Sequence, residues 1–366
     1  MSHPSGAGGG ALGAPPQHGV MLAELTTLHL GGPARRLVEA TRDDQIVDAV
    51  AAADATGEPV LVVAGGSNLV IADTGFAGTV VHVRTRGVAS ETEGNRVRLA
   101  VAAGEPWDGL VAHGVADGLA GIECLAGIPG SAGATPIQNV GAYGQQVSDT
   151  ISSVRAYDRS RREVIQLAGS ECGFAYRSSM FRRSSRYVVL EVTFELERSP
   201  LGRPLRYPEL ARALGVEPGA RVPVRLVREA VLALRRQKGM VIDANDPDSV
   251  SAGSFFINPI LPADGFVALE RRATERLGAT VRPPAWPEPD GRVKTSAAWL
   301  IERAGFHRGL RRGRVGISSK HTLALVNRGG ASTSELLALA REIQDGVREA
   351  FGVTLRPEPT LVEVEL

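Results

Sequence analysis

Between Gly127 and Gly144 the chain reads Gly-Ile-Pro-Gly-Ser-Ala-Gly-Ala-Thr-Pro-Ile-Gln-Asn-Val-Gly-Ala-Tyr-Gly, five glycines and two prolines in eighteen residues. That density excludes a helix or strand interior, where glycine is entropically costly and proline removes a hydrogen-bond donor. It suits backbone that bends sharply and presses its amides against something flat or anionic. An earlier stretch, Ala64-Gly65-Gly66-Ser67-Asn68-Leu69, has the same character and follows the apolar run Val60 to Val63, read as a buried strand. Two such loops in one half of a chain point to a large phosphorylated cofactor held at both ends.

With 366 residues the chain has room for two or three domains. A net charge of +1 gives no argument for nucleic acid or an anionic membrane as a partner. Two cysteines, Cys124 and Cys172, cannot make a disulfide framework and read as thiols in a reducing cytosol. No apolar run approaches a membrane span, so no membrane insertion is expected. Residues 1–20, mostly Gly, Ala, Pro and His, lack the basic and apolar regions of a signal peptide and are expected to be a disordered tail, with Met21 an alternative start. These features imply a soluble cytoplasmic protein. Only Lys238, Lys294 and Lys320 remain in a chain otherwise charged by arginine, so a compact ammonium is a candidate requirement at each.

From Thr26 to Val83, strand-like runs at Ala34 to Ala40, Pro59 to Val63 and Thr79 to Val83 flank one helix, capped by Asp43 or Asp44 with Ile46, Val47 and Val50 on its apolar face. A second unit starts near Arg96 with a strand and a helix around Trp107 to Asp117, then continues after the long glycine loop with strands at Ser153 to Tyr157 and Val188 to Glu197. Gly202 to Val222 reads as a loop and boundary region, and Val224 to Arg236 as a helix. A last block begins near Ser249, with helices at Ser296 to Ala304 and Ser334 to Phe351. The pattern fits an α+β protein of about three subdomains.

The usual dinucleotide fingerprint fails, since its single G-x-G-x-x-G match, Gly8 to Gly13, has no strand before it. A P-loop and a G-x-S-x-G nucleophile elbow are absent, and the seven histidines have no metal-ligand spacing. Gly65-Gly66-Ser67-Asn68 can turn successive amides inward as an anion nest, or can be an ordinary strand-exit turn. Ser131, Thr135, Gln138 and Asn139 add hydrogen-bonding groups to glycines that permit close approach. Ser254 stands between Gly253 and two phenylalanines, where its hydroxyl is shielded from water or bonded within a core strand. Glu358 sits between two prolines that restrict its backbone.

Taken in order, Thr26-Thr27-Leu28-His29-Leu30-Gly31-Gly32-Pro33-Ala34, the Gly65 to Asn68 loop, Gly127 to Gly144, Tyr176-Arg177-Ser178, Gly253-Ser254-Phe255-Phe256 and Glu358 resemble the UDP-N-acetylenolpyruvoylglucosamine reductase family of peptidoglycan synthesis, from about Met21 to Val362. The resemblance implies a vanillyl-alcohol-oxidase/PCMH-type FAD-binding fold, with two α/β subdomains and a C-terminal α+β substrate-binding domain. Their expected bounds are 21–88, 89–236 (with a substrate loop near 202–222) and 237–366, the last strand returning to the active site. It implies tightly, non-covalently bound FAD, with Gly65, Gly66, Ser67, Asn68, Leu69, Gly130, Ser131, Gly133, Ala134, Gln138, Asn139, Gly141 and Gly144 around it. NADPH is the implied co-substrate and a UDP-sugar the substrate. Hydride would pass from flavin N5 to C3 of the enolpyruvyl group and a proton from Ser254 to C2, as in a UDP-N-acetylmuramate dehydrogenase. Arg177 and Glu358 would attend the substrate carboxylate, with Glu358 shifted upward in pKa. The implied substrate contacts are Tyr176, Asn258 and Lys294, with Tyr207 on the closing tyrosine loop of the family's longer class and Lys238 at a substrate phosphate. A monomer or weak dimer is expected.

The arginine-rich segment His307 to Ser319 departs from the family pattern, which leaves substrate contacts there in doubt. Two rival readings are a flavin-binding scaffold without activity and a carbohydrate oxidase passing electrons to oxygen. The trio Arg177, Ser254 and Glu358 argues against the first, and neither cysteine lies in a glycine loop to anchor FAD for the second.

Overall fold

Three units follow one another along residues 15–366, which the computed structural model describes. In the first, β1 (Ala34–Ala40), β2 (Val60–Val63) and β4 (Phe76–Val83) form a parallel sheet in the order β1-β4-β2, while β3 (Leu69–Ile71) stands outside it. Parallel strands need a crossover, and α1 (Asp43–Ala55) supplies it between β1 and β2. Gln45 starts the helix, its side-chain oxygen accepting from the Arg42 amide at 3.2 Å. Ile46, Val50 and Ala53 form its fully buried face. The expected strand and helix positions are met here to within a few residues.

Residues 15–20, expected to belong to a disordered tail, are described, and part of this stretch is bonded to β1. Gln17 exchanges two backbone hydrogen bonds with Leu37, at 2.9 and 2.8 Å, because the open edge of β1 offers unpaired amides and carbonyls. Residues 1–14, with the Gly8 to Gly13 match, lie outside the described residues.

The second unit is an antiparallel sheet in the order Glu163–Ala168, Ile151–Asp158, Tyr187–Arg198, β6 (Arg96–Ala102), β5 (Val88–Glu93). Its core joins Phe194 of the central strand to Trp107 and Val111 of α2 (Trp107–Ala116), Leu210 of α3 (Pro208–Ala213) and Val227 and Val231 of α4 (Val224–Gln237). The stretch 202–222, expected to be loop throughout, therefore contains a short helix. Pro208 opens it at a position where the missing amide costs nothing. The long glycine loop crosses this unit, with Gly133 so close to Ala103 that an added Cβ would lie 2.5 Å from the Ala103 Cβ.

The first two units are joined through α1. Ile46 and Val50 share a cluster with Tyr157, Val188 and Leu190 of the antiparallel sheet. On the same seam Asp43 pairs with Arg155 at 2.5 Å and Asp54 with Arg159 at 2.5 Å.

In the third unit the strands Ser251–Ser254, Ala324–Asn327, Val315–Ile317 and Arg311–Arg312 form an antiparallel sheet. It is covered by α5 (Ala263–Leu277), α6 (Ala297–Arg303) and α7 (Thr333–Phe351). α5 stands where no element is expected. Leu28, Leu30 and Val70, expected in the first subdomain, are buried in this third core, and the Asn327 side-chain amide donates to the Leu28 carbonyl at 3.0 Å. Finally Thr360–Val362 pairs in parallel with β3, which returns the chain's end to the first unit. Among the described residues no helix is long and apolar enough to cross a membrane.

Candidate active site

The two glycine loops meet. A Cβ on Gly65 would lie 2.7 Å from the Gly130 Cα, so only hydrogens let the backbones pass. Gly66, at φ +56, admits no Cβ either, since it would fall on the Leu25 carbonyl. Ser67 Oγ donates to the Pro129 carbonyl at 3.0 Å, and Asn68 Nδ2 donates to Gln138 Oε1 at 3.1 Å. Contacts 62 and 70 residues apart in sequence thus weld the loops into one wall.

That wall bounds a cleft of about 450 Å³. The second wall comes from α4 and the third unit, through Arg235, Lys238, Ser254, His321 and Glu358. Of the residues expected around a cofactor, Gly65, Gly66, Ser67, Asn68, Leu69, Gly130, Ser131, Ala134, Gln138 and Gly141 line it. Gly133, Asn139 and Gly144 do not. Gly133 is pressed against Ala103 beneath the loop, and Gly144 against Arg206. Asn139 is a brace: its Oδ1 accepts from the Ser148 amide at 3.1 Å, and its Nδ2 donates to the Ala175 carbonyl at 3.2 Å.

Arg177, Ser254 and Glu358, spread over nearly two hundred residues of sequence, line the same cleft. Arg177 Nε forms an ion pair with Glu358 Oε1 at 3.0 Å. Arg177 takes a left-handed φ of +50, within a turn closed by mutual backbone bonds between Ala175 and Ser178. Left-handed backbone is unfavourable for a residue with a Cβ, and such strain collects at functional sites. Tyr143, also on the cleft wall, has φ +48. The segments carrying Ser254 and Glu358 lie side by side, as the Glu358 amide donates to the Phe255 carbonyl at 2.8 Å and Phe256 bridges Pro357. Burial pushes the Glu358 carboxyl above the usual range against the pull of the Arg177 and Arg182 guanidiniums, the direction expected for a carboxyl beside an anionic substrate group.

The cationic side of the cleft holds residues that the sequence did not single out. Burial pushes the Arg235 guanidinium down to about 10, and its Nε has no partner among the described residues. Burial also lowers His321 to about 4, helped by nearby Lys238. Lys238 pairs with Glu209 at 2.6 Å, and its ammonium lies 5.6 Å from the Tyr143 ring centre. Tyr207, just before α3, meets Tyr143 edge-on at 5.5 Å, and both line the cleft. Ser131 Oγ is a second buried polar atom without a partner among the described residues. Unsatisfied buried donors in a cleft floored by glycine suit a large anionic ligand with a flat portion. The residues fit FAD.

Tyr176, Asn258 and Lys294 form a group beside Arg177 rather than on the cleft wall. The Lys294 ammonium is 5.0 Å from the Tyr176 ring centre and 3.0 Å from Glu288, and Asn258 Oδ1 accepts from the Ala297 amide at 2.9 Å. The arginine-rich segment faces away. Arg312 pairs with Glu342 at 2.7 Å and Arg314 with Glu335 at 2.8 Å, both on α7. Cys124 and Cys172 are buried and line no part of the cleft. No group of three or more His, Cys, Asp or Glu able to hold a metal occurs among the described residues.

Comparison with known proteins agrees with this geometry. Residues 34–167 match the family model described as FAD binding domain, and 246–362 match UDP-N-acetylenolpyruvoylglucosamine reductase, C-terminal domain. A Thermobifida fusca (strain YX) protein named UDP-N-acetylenolpyruvoylglucosamine reductase is 57% identical over 348 residues, covering 95% of this chain and 98% of its own. One of the same name from Streptomyces coelicolor is 59% identical over 351 residues, covering 95% and 91%. The crystal structure of the Thermus caldophilus reductase of that name superposes with a TM-score of 0.66 at 23% identity, covering 95% of this chain and 99% of that one, and shares the fold.

Proposed function

The chain belongs to the UDP-N-acetylenolpyruvoylglucosamine reductase family of FAD enzymes, and from that membership we propose the following reaction. It reduces the enolpyruvyl ether of UDP-N-acetylglucosamine to UDP-N-acetylmuramate with NADPH, a cytoplasmic step of peptidoglycan synthesis. The observation that carries this is the convergence of Arg177, Ser254 and Glu358 on the cleft built by the glycine loops.

FAD, when bound, would supply the hydride chemistry between NADPH and C3 of the enolpyruvyl group. The protein binds and polarises. Gly65, Gly66 and Ser67, which line the cleft, would hold the cofactor's pyrophosphate, and Gly130, Ser131 and Ala134 its flat portion. Addition at C3 drives charge through C2 into the substrate carboxylate. Arg177 answers that charge with the planar fork of its guanidinium. Glu358, shifted toward its neutral form by burial, can donate a hydrogen bond to the carboxylate. Ser254 then holds the proton delivered to C2. A serine is a weak acid, so it acts only on a strongly basic carbon.

Arg235 and Lys238 supply positive charge for the UDP diphosphate, and Tyr207 packs on the nucleotide as α3 closes. Tyr176, Asn258 and Lys294 extend the substrate site beyond Arg177. We assign 21–88 and 89–236 to cofactor binding, the latter with a substrate loop near 202–222, and 237–366 to substrate binding, in a monomer or weak dimer.

Anaerobic absorption spectra test the reading. NADPH should bleach the flavin band, and only the enolpyruvyl UDP-sugar should restore it before air is admitted. With Ser254→Ala the bleaching should be retained, while restoration slows about 10²–10⁴-fold. A band that returns only with air would replace the reading with an oxidase.

A further inference from the structure

Arg182 does not line the cleft, yet it touches both groups at its carboxylate end. Its Nη1 donates to the Arg177 carbonyl, and its Nη2 donates to the Glu358 carbonyl at 3.1 Å. Both donors therefore go to main chain rather than to a carboxylate. The two carbonyls lie 181 positions apart in sequence, one in a tight turn of the second unit and one beside the last strand of the third. Each needs an anchor. Arg177 is held in left-handed backbone, and Glu358 lies in a bend just before the last strand, where its carbonyl otherwise receives, among the described residues, a long contact from Asn68 Nδ2 at 3.4 Å.

A planar guanidinium is suited to this task because its N–H groups diverge in a fixed geometry. Two bonds from one rigid plane set the distance between two acceptors, which separate donors on flexible stems cannot do. Burial and the adjoining Arg183 lower the affinity of Arg182 for its proton, so holding this cation here is costly, and its hydrogen bonds to the two carbonyls, with the field of the nearby Glu358, offset that cost. From this geometry we infer that Arg182 is a positioning residue, a clamp that fixes Arg177 against Glu358 across the boundary between two units.

This inference rests on the proposed roles of Arg177 and Glu358, so its test begins with wild-type holoenzyme. Failure of the wild type to reoxidise on addition of the enolpyruvyl sugar would remove those roles and the clamp with them. Given wild-type turnover, Arg182→Gln and Arg182→Lys are compared by flavin content, urea midpoint, both half-reactions, and calorimetric affinity for UDP-N-acetylmuramate, which carries the carboxylate of the product. In Arg182→Gln the flavin should be retained, while reoxidation by the sugar slows and product binding weakens, each by at least about tenfold, the scale of a lost charge-assisted hydrogen bond. Bleaching by NADPH should change far less than either. Arg182→Lys keeps the charge without the fork and should recover neither fully.

Three results would overturn the clamp. One is reoxidation and product affinity within about twofold of wild type in Arg182→Gln. Another is full recovery by Arg182→Lys, which would leave charge as the whole effect. The third is equal loss in both half-reactions with flavin release and a lowered urea midpoint, which would make Arg182 a structural residue.

Discussion

His321 shows how a single side chain in the cleft ties the site to stability. Burial holds its folded pKa near 4 while the unfolded chain titrates near 6.5, so the unfolded state binds more protons between those values. Stability therefore rises with pH across that window and is lost as pH falls through it. His82 is shifted in the same direction, with burial again the main cause, so the comparison must be made within a variant. We expect the urea midpoint to fall from pH 7 to pH 5, and to fall less in His321→Gln; an identical drop in the variant would contradict the assignment. Neither this histidine nor Arg235 could be picked out of the sequence. Each stands in an ordinary-looking segment, and its neighbours in space come from elsewhere in the chain. Arg177, Ser254 and Glu358 were legible only through their resemblance to a family, since each alone also reads as a solvated or core residue.

At the scale of elements, the glycine loops were legible because their backbone demand is local. Gly66 has positive φ and no room for a Cβ, and Gly65 meets Gly130 at a distance that only glycine allows. Gly66→Ala should give protein with less than half the flavin of wild type, read from the absorbance ratio of flavin to protein. A normal ratio would show that the loop relaxes without disturbing the wall. The helix α3 was hidden by its surroundings, since a proline- and glycine-rich stretch resembles a loop until Pro208 is placed at a first helical position. The helix α5 carried a readable signal in Phe266, Leu269 and Ala273, which recur at helical spacing and are buried.

A different device seats α7. Beyond its own capping box of Ser332 and Glu335, Asp73 from the first unit accepts from the Thr333 and Ser334 amides at 2.6 and 2.9 Å. Asp73→Ala leaves these donors without their carboxylate and should cost about 1–3 kcal/mol in urea unfolding. A change below about 0.5 kcal/mol would mean that the capping box suffices.

For the whole molecule, the end of the chain is as much a part of the cofactor wall as the loops. Thr360–Val362 pairs with β3, and the Thr360 amide donates to the Asn68 carbonyl at 2.9 Å. Deleting residues 360–366 should therefore lower both flavin content and urea midpoint, although the glycine loops themselves are untouched. Retention of full flavin would show that the loops hold the cofactor unaided. Adding FAD to stripped wild-type protein should raise its unfolding temperature, because a ligand bound only by the folded state stabilises it by mass action. The sequence by itself determined what depends on near neighbours: the strands and helices set by apolar period, the glycine turns, and a family resemblance spread over almost the whole chain. Only the tertiary structure decided which loops touch, that Leu28 and Leu30 belong to the last core, and that Arg177 meets Glu358. Those are long-range choices, made by where apolar faces find cover and buried polar groups find partners, and no local pattern encodes them.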